Sequence, residues 1–171
     1  MTKKLYLEDL RVGRRLRSKS VTISAQDIIR FARENDPQYF HLDEEAAKDS
    51  MFGGLVASGW QTGALSIKLL IDSADPPFAG GLVGVEAHIA WKRPVRPGDS
   101  LRVEAEVTRI VHPRRYADRG FVSMDMATYN QRDEVVLTQS VTVVAFRDPA
   151  RAGAHEHATQ PATTPGSFSA D

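Results

Sequence analysis

The chain has 171 residues and no cysteine, and its 22 Lys and Arg balance 22 Asp and Glu to a formal net charge of zero. A neutral chain has no overall field to attract nucleic acid or an anionic membrane. The lack of cysteine excludes disulfides, thiolate nucleophiles and cysteine-ligated metals. The length suits one domain. The opening MTKKLYLEDL lacks the apolar core of a signal peptide and residues 64–71 are too short to span a bilayer, so we expect a cytoplasmic protein.

Helices are predicted first along the chain. Ser24 and Asp27 have the spacing of a capping box at the start of one helix. Asp43 is expected to cap a short helix over residues 44–48. A longer helix is predicted from about Gly59 to Asp72, and because it is apolar over much of its circumference we expect it to be enclosed.

The second half of the chain changes to a period of two. Apolar and polar residues alternate over residues 101–108 and 122–126, and apolar residues share one face over 135–143. Residues 96–99 and 130–133 supply turn chemistry between these strands. Helices followed by long antiparallel strands predict an α+β fold in which a sheet curls around a buried helix.

The folded domain is expected over residues 1–147, followed by a disordered tail over 148–171. The tail has almost no large apolar side chains, so it has little surface to bury against its ordering entropy. His155 and His157 lie in the tail and could in principle hold a metal, but the sequence offers no third ligand. We expect no metal site in the chain.

Asp36 and His41 are the first candidate chemical groups. Pro37 disfavours helix at the residue before it, so the pair is expected in an irregular loop, where five residues can turn both side chains to one cavity. A carboxylate and an imidazole together can activate water and shuttle its proton. The alternative is structural, because Asp before Pro is common at turns and a histidine near a helix end often only hydrogen-bonds locally.

A glycine-rich stretch leads from Phe52-Gly53-Gly54 to Ser58-Gly59 at the start of the long helix. The first N–H groups of a helix have no intrahelical partner and carry partial positive charge, so they can stabilise a developing oxyanion. The alternative is that Gly53-Gly54 forms only a turn and Gly59 only allows close packing.

These segments resemble the MaoC-like (R)-hydratase family. Residues 36–43, DPQYFHLD, resemble its Asp-x-Asn-Pro-x-His-x-Asp signature, residues 52–59 its glycine-rich entry to the central helix, and residues 89–99 its following strand and Pro-Gly-Asp turn. The resemblance covers about residues 10–146. It implies a hotdog fold, in which a long central helix is wrapped by an antiparallel sheet, and a homodimer or higher homo-oligomer.

The resemblance also implies roles for particular residues. Asp36 and His41 match the catalytic pair, and Gly59 matches the residue whose amide binds the thioester oxygen. No metal or redox cofactor is implied, because coenzyme A is part of the substrate. The chain departs from the family where Gln38 and Tyr39 replace Asn and Pro and where Ser58 replaces a frequent His.

Further residues are expected to bind substrate. Gln38 keeps an amide that can orient substrate or water, and Ser58 precedes the oxyanion-binding glycine. Trp91, Lys92 and Arg93 lie on the strand that runs near the acyl-CoA site in such proteins, where the cations suit CoA phosphates. A solvated strand is the alternative reading for each cation.

The function expected is reversible hydration of 2-enoyl-CoA to (R)-3-hydroxyacyl-CoA, with an acyl-carrier protein as a second possible carrier of the acyl group. One alternative is a hotdog thioesterase, although these enzymes usually lack a histidine in the position of His41. Another is a non-catalytic acyl-thioester-binding subunit, and the intact Asp36, His41 and Gly59 argue against it.

Overall fold

The computed structural model describes residues 3–151. The predicted tail from residue 152 onward, with His155 and His157, therefore lies outside the described residues. Residues 148–151 contact the domain, because the backbone N–H of Asp148 donates to the Glu8 carboxylate over 3.0 Å. Arg151 pairs with Asp9 at 3.2 Å.

Six strands form an antiparallel sheet in the order β1-β4-β5-β6-β3, with β2 pairing separately with β4. They are β1 (Arg15–Arg17), β2 (Val21–Thr22), β3 (Val83–Trp91), β4 (Ser100–Val111), β5 (Arg119–Tyr129) and β6 (Val135–Phe146). The predicted long strands are confirmed and extend further than their alternation indicated. The expectation that helices come first was wrong, because β1 and β2 precede them. Strands of two or three residues are too short to show a period.

Helix α1 (Ala25–Asn35) begins at the predicted capping box. The Ser24 hydroxyl accepts from the N–H of Asp27 over 3.1 Å, and the Asp27 carboxylate accepts from the N–H of Ser24 over 3.3 Å. Ile28 and Ala32 are fully buried. The cap determines where α1 begins, and the buried apolar stripe determines which face of α1 packs on the core. Together they set the position of Asp36 at the end of the helix.

The segment after α1 differs from its prediction. Helix α2 (Tyr39–Leu42) provides one helical turn that contains His41, where an irregular loop was expected. The helix predicted over residues 44–48 is a 3-10 helix over Ala46–Asp49. At the start of this 3-10 helix, the Asp43 carboxylate accepts hydrogen bonds from the backbone N–H groups of Glu45 and Ala46 over 2.8 and 2.9 Å. Short turns such as these lie below the length at which periodicity distinguishes helix from loop.

Helix α3 (Gly59–Ser73) has the predicted bounds to within one residue. It lies on the inward face of the sheet, where the Ser66 hydroxyl is 2.7 Å from the Thr128 hydroxyl of β5. The expectation that α3 is enclosed was wrong for one side, because Trp60, Ile67 and Ile71 are exposed. An apolar side chain can pack equally well in the core of a protein or against another molecule. The composition of a helix therefore does not show which of these two environments a given apolar residue occupies.

The core lies between α3, α1 and the inward side chains of the sheet. In β4 these are Leu101, Val103, Ala105 and Val107, at most 5% exposed, while the residues between them are more exposed. The α+β prediction is confirmed. None of the helices within residues 3–151 is long and apolar enough to cross a membrane.

Candidate active site

Asp36 and His41 are brought together by the end of α1 and the turn of α2. Asp36 is the C-cap of α1, and its N–H donates to the carbonyl of Ala32 over 2.9 Å. The next residue, Pro37, ends the helix. The chain then reverses, and the N–H of His41 donates to the carbonyl of Gln38 over 2.9 Å.

The His41 ring is buried and is held by a hydrogen bond at Nδ1. Its Nδ1 lies 2.7 Å from the carbonyl oxygen of Val56. A carbonyl only accepts, so Nδ1 carries a proton, and in the neutral ring Nε2 presents its lone pair. Nε2 lies 3.4 Å from Oδ2 of Asp36. A carboxylate oxygen and an imidazole nitrogen at this spacing can together orient a water molecule and take a proton from it.

The Asp36 carboxylate accepts hydrogen bonds at both oxygens. The Gln38 amide donates to Oδ1 over 2.8 Å, and the Ser58 hydroxyl donates to Oδ2 over 2.6 Å. Partial burial is the largest single influence and acts to raise the pKa of Asp36. The two hydrogen bonds and the nearby His41 outweigh it, so the pKa lies below its ordinary value of 3.8. The carboxylate is ionised at neutral pH.

The first residues of α3 form the opposite side of the site. Gly59 is the first residue of the helix, and its N–H has no partner within the helix because of its position. The indole of Trp91 lies against its backbone: a Cβ at position 59 would be 2.5 Å from the indole Nε1. Trp60 meets Trp91 edge to face, with ring centroids 5.4 Å apart. The helix start is therefore held by two indoles.

A cleft of about 450 Å³ connects these groups. Of the eight residues that the sequence predicted for the site, seven line it: Asp36, Gln38, His41, Gly59, Trp91, Lys92 and Arg93. The eighth, Ser58, is fully buried and meets Asp36 instead. Asp36, His41 and Gly59, the first residue of α3, therefore line the same cleft.

Lys92 and Arg93 follow β3, which ends at Trp91, and do not lie on the strand as expected. The Arg93 guanidinium donates to the carbonyl of Val135 over 3.1 Å and lies 3.7 Å from Glu134. Lys92 also lines the cleft, and its backbone N–H donates to the carbonyl of Val136 over 2.9 Å.

Apolar walls of the cleft were missed from the sequence. Phe40 packs edge to face on His41, at 4.5 Å between ring centroids, and Phe52 packs on Phe40 at 5.2 Å. Trp60 and Val95 also line the cavity. The positions of Phe40 and Phe52, next to His41 and Gly53, were the available signal. Within residues 3–151 no three His, Asp or Glu side chains are grouped as metal ligands.

An antiparallel sheet with one long helix on its inward face, and a site at the start of that helix, define the hotdog class. The MaoC like domain family matches residues 9–142, most of the chain. The chain belongs to this family.

Individual proteins support this membership. A MaoC-like dehydratase from Rhodospirillum rubrum is 48% identical, with a TM-score of 0.80 over 85% of this chain and 99% of that one. The uncharacterized protein YdeM of Bacillus subtilis is 38% identical over 84% of this chain and all of its own length. A 3-hydroxybutyryl-CoA dehydratase from Methylorubrum extorquens is 34% identical over 78% of this chain and 79% of that protein.

Proposed function

We propose that the chain catalyses the reversible hydration of 2-enoyl-CoA to (R)-3-hydroxyacyl-CoA. The observation that carries this proposal is the His41 and Asp36 pair, 3.4 Å apart, in one cleft with the first amide of α3. Family membership and similarity to a 3-hydroxybutyryl-CoA dehydratase support it.

The reaction follows from the two sides of the cleft. Nε2 of His41 takes one proton from water, while Asp36 accepts a hydrogen bond from the other hydrogen, which stays on the oxygen, and so orients it. The oxygen forms a bond to C3, and the electrons of the double bond move towards the thioester oxygen. The N–H of Gly59 stabilises that oxyanion. A proton from His41 then reaches C2, so that water is added in full and the base is restored.

The walls of the cleft suit an acyl-thioester. Phe40, Phe52 and Val95 provide apolar surface for the acyl group. Lys92 offers a cation for the phosphates of coenzyme A or for the phosphopantetheine of an acyl-carrier protein. Water addition changes no oxidation state overall, so the proposed chemistry needs no redox cofactor.

We also propose that the protein acts as a homo-oligomer, with a dimer as its unit. Trp60, Ile67 and Ile71 form an exposed apolar stripe on α3, and Ile71 is 46% exposed. Strand β3 is at the edge of the sheet, and its Val85 is 57% exposed. A second copy that covers this stripe and edge removes both from water.

The test of the activity is hydration of crotonyl-CoA, followed as loss of the conjugated-thioester absorbance. Asp36→Asn and His41→Ala are each expected to lower kcat by at least about a hundredfold, the scale of a positioned acid or base. Matched controls are Asp125→Asn, an exposed carboxylate that also accepts a serine hydroxyl hydrogen bond, and the exposed His112→Ala. Full activity in both site variants contradicts the assignment.

A thioesterase is separated in the same assay. Hydrolysis releases a free CoA thiol, whereas hydration leaves the thioester intact. The protein has no cysteine, so a thiol reagent reports released CoA without background from the chain. Thiol release that keeps pace with absorbance loss contradicts the hydratase proposal.

A further inference from the structure

Ser58 joins the two sides of the cleft through one hydroxyl group. Its Oγ donates to Oδ2 of Asp36 over 2.6 Å and accepts from the N–H of Trp60 over 3.2 Å. Ser58 is the N-cap of α3 and is itself fully buried, so water has little access to its hydroxyl group. The carboxylate of the acid–base pair and the start of α3 are thus tied to the same atom.

The direction of the first bond has a chemical consequence. A hydroxyl has one hydrogen, and the N–H of Trp60 can only donate to it, so the hydrogen of Ser58 is directed to Asp36. The bond therefore favours the ionised carboxylate. Gln38 and His41 also face Asp36, and Lys92 and Arg93 line the same cleft. Among these groups, Ser58 is the one with an observed hydrogen bond to the start of α3 within residues 3–151.

We propose that Ser58 is a positioning residue that orients the Asp36 carboxylate and fixes its distance from the first amide of α3. This inference rests on the proposed function, in which Asp36 orients water and Gly59 holds the thioester oxygen. The water must reach C3 while the thioester oxygen stays on the amide, so the spacing between the two groups determines the attack geometry. Errors of about 1 Å in such spacing can cost about a hundredfold in rate.

The main test is Ser58→Ala, assayed across pH. Asp36 then loses one hydrogen bond while its burial remains, so its pKa rises. The acid limb of the kcat profile is expected to move to higher pH, and kcat at neutral pH to fall about tenfold or more. The KM is expected to change little, because Ser58 does not line the cleft. Ser58→Cys keeps the size with a weaker donor and should shift the limb in the same direction.

The matched control is Ser24→Ala. Ser24 caps α1 and likewise bonds both an N–H and a carboxylate, although both belong to one residue: it accepts from the N–H of Asp27 over 3.1 Å and donates to the Asp27 carboxylate over 2.6 Å. This variant loses a helix cap and a serine–aspartate bond away from the cleft. It should lower the unfolding midpoint without moving the pH profile.

A double variant separates positioning from general damage. In an Asp36→Asn background, Ser58→Ala should lower the residual rate by less than twofold, because the carboxylate through which Ser58 acts is already absent. Equal effects of Ser58→Ala in both backgrounds overturn the proposal.

Titration of the carboxyl ¹³C of Asp36 by NMR, assigned by its loss in Asp36→Asn, needs no substrate. If the wild type does not hydrate enoyl-CoA, the proposed function fails, while this titration still tests the Ser58 contact. An Asp36 pKa that is the same in wild type, Ser58→Ala and Ser58→Cys overturns the inference.

Discussion

The indole of Trp91 lies so close to Gly59 that the position has no room for a side chain. The nearest indole atom, Nε1, is 2.5 Å from the place a Cβ would occupy, and two further ring atoms lie within 3.0 Å. Trp91 ends β3 and Gly59 begins α3, so this contact sets the approach of the edge strand to the helix start. The glycine is needed here for close packing.

Gly59→Ala is expected to displace Trp91 and to lower the free energy of unfolding by about 1–3 kcal/mol, the usual cost of overpacking. Hydration of crotonyl-CoA should fall as well, because the displaced indole and the helix-start amide share the cleft. Urea unfolding followed by tryptophan fluorescence measures the first effect, and the absorbance assay measures the second.

Gly63→Ala is the matched control in the same helix. Gly63 is buried, but a Cβ there meets no other atom within 4 Å. The substitution should raise the free energy of unfolding by about 0.5–1 kcal/mol, because alanine favours helix over glycine. The same sign of change in both variants contradicts the packing argument.

The features of the fold that the sequence predicted correctly depend on residues that are close together in the chain. The capping box of Ser24 and Asp27 and the start of α3 were predicted because each depends on residues within one turn. The contact of Ser58 with Asp36 was not, because it joins residues 22 apart through the packing of α3 against the end of α1. Ser58 was therefore expected to face substrate.

The exposed side of α3 shows a second limit. Ile67 and Ile71 are as apolar as the buried Leu69 and Leu70, and only the position of the sheet decides which pair is covered. Periodicity gives the faces of a helix but does not assign each face to a core or to a partner.

The lowered pKa of Asp36 predicts a pH-dependent contribution to stability. A carboxyl group whose folded pKa is below its unfolded value stabilises the fold above the unfolded value, near 3.8, and loses that effect as pH falls through the folded pKa. The difference in free energy of unfolding between wild type and Asp36→Asn should therefore be largest above about pH 5 and shrink towards pH 3. Chemical unfolding at a series of pH values measures it, and a difference that grows on acidification contradicts the assignment.

The exposed stripe of α3 predicts a dimer of about twice the chain mass of 18.9 kDa. Light scattering at micromolar concentration measures this mass. Ile67→Glu with Ile71→Glu places two carboxylates on the stripe and should give monomers, because burying unpaired charges is costly.

Val12→Glu is the control for the dimer prediction. Val12 is 61% exposed, more than Ile67 or Ile71, but lies outside the stripe, so this variant should stay dimeric. A wild-type monomer, or a dimer that survives both stripe substitutions, contradicts the proposed interface.

The proposed reaction predicts a single stereochemical outcome, the (R)-3-hydroxyacyl-CoA. Water held by His41 and Asp36 reaches one face of the enoyl group, and the first amide of α3 fixes that face by holding the thioester oxygen. The Gln38 amide donates a hydrogen bond to Asp36 over 2.8 Å. Attack on the opposite face of the enoyl group would require the acyl chain to turn over completely within the cleft.

The configuration of the product is tested with an (S)-specific 3-hydroxyacyl-CoA dehydrogenase and NAD. Hydration without NADH formation is expected, and addition of an (S)-specific hydratase to the same mixture checks that the coupling enzyme is active. Rapid NADH formation from the product of this protein alone contradicts the (R) assignment while leaving the hydration itself intact.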